Sequence, residues 1–229
     1  MWLTTSSIGR KVIMSVTGLA LILFLTFHGC MNVVSLFSAS GYNWVCEMLG
    51  ANWYAVVATL ALGALTVAHI VYAFILTAQN RRAHGNERYA VTSRHEKVEW
   101  ASQNMLVLGI IIALGLLLHL YNFWYNMMFA ELIGVEMQFH PADGFAYIRE
   151  TFSNPVYVVL YIVWLVAIWS HLSHGFWSAM QSLGVSGKVW FNRWKTIGLA
   201  YATLLMLGFL IVVLAFAFGC APSLCAYCA

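Results

Sequence analysis

The sequence predicts an all-α integral membrane protein, a five-helix transmembrane bundle. Three observations carry that expectation. Hydrophobic residues make up 62% of the 229-residue chain and charged residues only 8%, where soluble chains run near about 45–50% and about 25%. The mean hydropathy is +0.80. Five stretches, 12–37, 53–79, 105–128, 155–181 and 197–219, contain no Asp, Glu, Lys or Arg, and each is long enough to cross about 30 Å of hydrocarbon as a helix.

The first stretch runs well past the roughly 7–15 apolar residues of a signal peptide and is read as a retained span. No stretch shows the alternating pattern of a barrel strand. With 3 Pro and 17 Gly, collagen-like and low-complexity classes are excluded. The connections are short, so residues 1–229 read as a single transmembrane domain in contact with membrane lipid. A net charge of +3, scattered along the chain, excludes nucleic-acid binding.

Charge placement orients the bundle. Of the 11 Lys and Arg residues, only Arg149 falls on one side of the membrane. Arg10 and Lys11 precede the first span. Arg81, Arg82, Arg88, Arg94 and Lys97 join the second to the third, and Lys188, Arg193 and Lys195 join the fourth to the fifth. The excess of basic residues marks the cytoplasmic side, so the N-terminus is expected there and the C-terminus outside. Glu47, Glu131, Glu136, Asp143 and Glu150 then face outward.

Histidine is the ionisable residue left inside the spans. His84 and His95 belong to the basic connection and His140 to an outer one. His28, His69, His119, His171 and His174 are intramembrane. Each of the first four spans carries one and the fourth carries two. A single such histidine reads as a bond between helices; four helices each supplying an imidazole read as ligands in a bundle core.

Depth sorts them. His69 and His171 each lie ten residues before the cytoplasmic end of their span, about 15 Å in at 1.5 Å per residue. His28 and His119 lie about 23 Å in by the same rise. One tetrahedral zinc would need all four at one depth. Two layers of two fit two bis-histidine haems, the inner held by His69 and His171 and the outer by His28 and His119. Such six-coordinate iron carries electrons. Phe24, Phe27, Gly29, Tyr72, Phe74, Tyr121, Trp169 and Trp177 lie near these positions, either flanking a porphyrin or packing helices.

The run Ser7-Ile8-Gly9-Arg10-Lys11-Val12-Ile13-Met14, followed by Thr17-Gly18 and then His28 and Asn32, resembles the cytochrome b558 membrane anchor of succinate dehydrogenases and menaquinone-linked fumarate reductases. So does His171-Leu172-Ser173-His174-Gly175-Phe176-Trp177-Ser178. The resemblance covers nearly the whole chain. It implies two haem b groups ligated by His28, His69, His119 and His171, and a flavoprotein and an iron–sulfur subunit docked on the cytoplasmic face. It also implies exchange with a quinone pool, menaquinone in the linked reductases, in a bacterial cytoplasmic membrane. The chain departs from the family pattern at three positions. Met31 stands where glycine is frequent, Trp169 where some members carry a proton-conducting glutamate, and His174 where asparagine is frequent.

The chain has no G-x-G-x-x-G dinucleotide motif and no cluster-type cysteine pattern, so dicarboxylate chemistry is expected in partner subunits. Cys225-Ala-Tyr-Cys228-Ala229 lacks the histidine of c-type haem attachment. A disulfide among Cys220, Cys225 and Cys228 suits an oxidising exterior. Glu47, just before the second span on the outer side, is a candidate acceptor for protons from quinol oxidation, or else a solvated loop acid. His171 and His174 share a helix face. His171 matches the depth of His69 and is assigned to the iron. His174, about 4.5 Å nearer the cytoplasm, is placed at a haem propionate or in a bond between helices.

A dihaem anchor of another respiratory complex, of hydrogenase or formate dehydrogenase type, fits the same histidines. A proton-coupled transporter with histidine relays predicts intramembrane carboxylates and repeat symmetry, and neither is seen. A retinal protein would need a lysine within a late span, and Lys11, Lys97, Lys188 and Lys195 all lie outside.

Overall fold

The structure, a computed structural model, describes residues 2–84 and 100–227. Among these residues it is all-helical with no strand, and five of its helices are long and apolar enough to cross a membrane. After a short turn, α1 (Trp2–Thr5), the first long helix α2 (Ser7–Phe37) starts at Ser6, whose hydroxyl oxygen accepts the Gly9 amide at 2.9 Å. Ser38 then breaks the helix in an extended conformation and caps α3 (Ala39–Met48) by accepting the Gly41 amide.

The second long helix is α4 (Trp53–His84). The third is composite. The turn α5 (Trp100–Gln103) leads into α6 (Met105–His119), which widens into a π-helical stretch, Leu120–Phe129, and closes as α7 (Ala130–Ile133). Then come α8 (Gly144–Ser153), α9 (Pro155–Ser182), α10 (Lys188–Ala217) and α11 (Pro222–Tyr227). Pro155 opens α9 in its first turn, where its missing amide hydrogen would have had no partner anyway.

The long helices overrun the apolar stretches, chiefly at the end that holds the N-terminus: α2 begins before Arg10 and Lys11, α4 continues through Arg81 and Arg82, and α10 begins at Lys188. A helix that stopped where its apolar residues stop would leave four backbone groups unpaired in hydrocarbon. A further turn or two carries those groups to water, and the basic side chains ride with them. The flanks are the converse case. Leu23 and Leu204 are each 73% exposed and Leu60 69%, part of an aliphatic surface far larger than a water-soluble monomer carries.

Packing closes four long helices into a ring. α2 packs on α4, α4 touches α6, α6 packs on α9, and α9 packs back on α2. The two diagonals, α2 to α6 and α4 to α9, have no comparable packing. α10 stands outside the ring, along α9 and α2.

The connections at the end opposite the N-terminus hold helices that apolar run length does not reveal. In α8, Arg149 and Glu150 interrupt the apolar run, yet Phe145, Ile148 and Phe152 recur at helical spacing and are buried against Tyr161, Val212, Val213 and Phe216. Polar bonds fasten this cap. Asn43 donates to the Asp143 carboxylate at 2.7 Å, its own oxygen accepts the Phe145 amide at 2.9 Å, and Asp143 caps α8 by accepting the Ala146 amide. The Ser223 hydroxyl ties α11 to α2 by donating to the buried Ser35 carbonyl at 2.6 Å. Cys46 is enclosed in the same cap, where burial pushes its thiol up to about 11.

Candidate functional site: two histidine pairs across the bundle

The four histidines of the first four long helices meet in two pairs, and each pair spans a diagonal of the ring. His28 of α2 and His119 of α6 have ring centres 5.7 Å apart. His69 of α4 and His171 of α9 have ring centres 6.4 Å apart. Each pair therefore reaches across the interior between helices that pack little on each other. The structure brings together the residues expected to share a layer.

Around the pair remote from the N-terminus the walls are aromatic. Phe24 stacks on His28, with centres 5.5 Å apart and an interplanar angle of 17°, and Phe209 of α10 lies 5.8 Å from the same ring. His119 is met by Phe123, Tyr161 and Trp164 at 5.1, 6.2 and 5.5 Å. Trp164 reaches this place because position 115 is glycine. A Cβ there would fall 2.1 Å from the indole, which lies flat on the α6 backbone and donates from Nε1 to the Ile112 carbonyl at 3.0 Å. The π-helical stretch begins one residue after His119. Asn126 satisfies its widened turn by donating to the carbonyls of Tyr121 and Asn122, and buried Asn122 donates to the Tyr161 hydroxyl at 3.3 Å. Asn122, Asn126, Tyr147, Glu150 and Tyr157 are among the residues that line a half-open pocket of about 580 Å³ at this end.

The other pair is less enclosed by rings and has a polar contact. Nδ1 of His69 lies 3.1 Å from the Thr17 hydroxyl of α2. The neighbouring Gly18 leaves room for the imidazole, since a Cβ there would come within 3.2 Å of His69 Cε1. By contrast, Nδ1 of His171 and Nδ1 of His119 are buried without a hydrogen-bond partner.

His174 stands apart from the pair. Its ring packs edge-on against Trp177 at 4.8 Å, and Lys195 lies over Trp177 and Phe191 at 4.6 and 4.9 Å. Glu47 is exposed at the far end, on a shallow groove with Asn43, Trp44, His140 and Asp143. Of the neighbouring residues, Phe24, Phe27, Phe74, Tyr121 and Trp169 are exposed on the bundle flank, and Trp169 bridges α9 to α10 by donating to Thr203 at 3.0 Å. Cys30, Cys46 and Cys220 are free thiols. His95, Arg88, Arg94, Lys97 and Cys228 lie outside the described residues, as do the side chains of His84 and Cys225.

Thr17 and Trp164 went unassigned on sequence grounds. Thr17-Gly18 had a signal, because it belongs to the N-terminal motif. Trp164 had none beyond being one of the span's aromatics. Among the described residues no three His, Cys, Asp or Glu side chains gather as a metal site. Two imidazoles facing each other suit a group that brings its own equatorial ligands. Comparisons with protein-family models, curated proteins and solved structures find no match.

Proposed function

We propose that this chain is a dihaem cytochrome b, the membrane-anchor subunit of a succinate:quinone oxidoreductase acting as a succinate dehydrogenase or a fumarate reductase. The observation that carries the reading is the pair of histidine couples across the two diagonals. His69 with His171, ring centres 6.4 Å apart, and His28 with His119, ring centres 5.7 Å apart, would each hold one haem between two imidazoles.

In this reading His69 and His171 hold the haem nearer the N-terminal side, and His28 and His119 hold the other. Each group would supply a reversible one-electron carrier. The chain's own residues bind it, orient it and exclude water. The imidazoles fix two positions along the path across the membrane, and Phe24, Phe123, Tyr161, Trp164 and Phe209 wall off the outer one. The basic N-terminal side is cytoplasmic and receives the iron–sulfur subunit with its flavoprotein. Menaquinone, or another membrane quinone, exchanges electrons at the outer end, where Glu47 is positioned to take up protons. The membrane is the bacterial cytoplasmic membrane. The resemblance of the two histidine-bearing motifs supports the choice of complex.

The test is a reduced-minus-oxidised spectrum of the purified chain with haem quantification. Two low-spin b-type haems per chain are expected. One haem, or none, overturns the reading.

A further inference from the structure

Four imidazoles form the two pairs in the bundle, and their polar contacts differ. Nδ1 of His119 and of His171 is buried with no partner, whereas Nδ1 of His69 lies 3.1 Å from the Thr17 hydroxyl. Thr17 is itself buried on α2, 6% exposed. Its hydroxyl proton has a place to go within its own helix, the Ile13 carbonyl at 2.9 Å or the Met14 carbonyl at 3.1 Å. With that proton committed to Ile13, the hydroxyl oxygen faces His69 as an acceptor, beside the Met14 carbonyl that also meets this imidazole. The imidazole then carries its hydrogen on Nδ1, and Nε2 keeps its lone pair. Gly18 lets α2 approach closely enough for this contact, since any Cβ there would press on His69 Cε1.

We propose that Thr17 is a positioning residue for His69. It would hold the imidazole in the Nδ1–H tautomer, fix the ring's rotation, and make Nε2 a stronger donor than the Nε2 of the unpartnered histidines. This rests on the dihaem reading above. A hydrogen bond to the remote nitrogen of a ligating histidine orients the ring and raises its basicity, and such outer partners are typically worth about 10–100-fold in affinity. A more basic axial imidazole favours the oxidised iron. The hydroxyl of Thr17 therefore lowers the potential of the inner haem and leaves the outer one alone.

The variants are Thr17→Val, which keeps the shape and removes the hydroxyl, and Thr17→Ser, which keeps the hydroxyl and removes a methyl. The measurement is an optical redox titration of the purified chain, with the inner component identified as the one missing from His69→Ala. Thr17→Val is expected to shift only the inner midpoint upward, by the equivalent of about a tenfold change in equilibrium constant, or about 59 mV for one electron. It should also release the inner haem about tenfold more readily to an acceptor protein. Thr17→Ser should titrate and retain haem as the parent does. Unchanged midpoints in Thr17→Val, or an equal shift in Thr17→Ser, overturn the role of Thr17 while leaving two haems in place. A parent chain that binds no haem overturns the dihaem reading itself, and this inference with it.

Discussion

His171 and His174 are one turn apart on α9, and their surroundings separate them. The His171 ring faces His69 across the bundle at 6.4 Å. The His174 ring packs on Trp177, beside the Lys195 ammonium. Helical rise alone gives the two a depth difference of about 4.5 Å, enough to set one opposite His69 and the other below it. Alanine substitution should therefore divide the five intramembrane histidines into three groups. His69→Ala and His171→Ala each lose the same haem, and His28→Ala and His119→Ala each lose the other. His174→Ala retains both, at most with a displaced inner midpoint. Haem per chain after purification checks this. Loss in His174→Ala with retention in His171→Ala would reverse the assignment.

The seam between α6 and α9 shows how one small residue places an aromatic wall. Trp164 lies flat on the α6 backbone at Gly115 and from there packs against His119. Gly115→Ala puts a methyl where the indole ring now is. The ring must swing out, its bond to the Ile112 carbonyl is lost, and overpacking of this kind costs about 1–3 kcal/mol. The expected result is a lower thermal midpoint in detergent, together with a perturbed outer haem band and an unperturbed inner one. Gly63→Ala is the control, because a Cβ at Gly63 meets nothing within 4 Å. Equal behaviour of the two variants would mean that the Trp164 seat has no bearing on the site.

At the scale of the molecule the question is orientation. Every described Lys and Arg other than Arg149 lies at the end that holds the N-terminus, and the cap of α3, α8 and α11 closes the opposite end. By the bias of basic residues toward the cytoplasm, the proposed orientation puts the first end there. Cys220, an exposed free thiol near the start of α11, marks the second. A membrane-impermeant maleimide applied to intact cells of a Lys188→Cys variant should modify Cys220, and should reach position 188 only after the membrane is opened. Peptide mass spectrometry reads both sites in one sample. The reversed pattern would invert the bundle and move the docking face for any soluble partner to the outside.

The five spans and the equal depths within each histidine pair were legible in the sequence, because apolar run length and helical rise are properties of a single helix. Those depths name the partners, since a residue 15 Å along one helix can only meet a residue at the same height on another. Which helices stand diagonal to each other was not legible. It depends on side-chain packing between segments far apart in the chain, such as α9 on α2 and α10 outside them both. The cap helix α8 was hidden because Arg149 and Glu150 interrupt its apolar run, and only burial of Phe145, Ile148 and Phe152 shows which face turns inward. Thr17 could be seen in the sequence as part of a motif. That its hydroxyl meets His69 was decided by the close approach of α2 to α4 at Gly18, a contact between residues 52 positions apart, and no local pattern encodes such a distance.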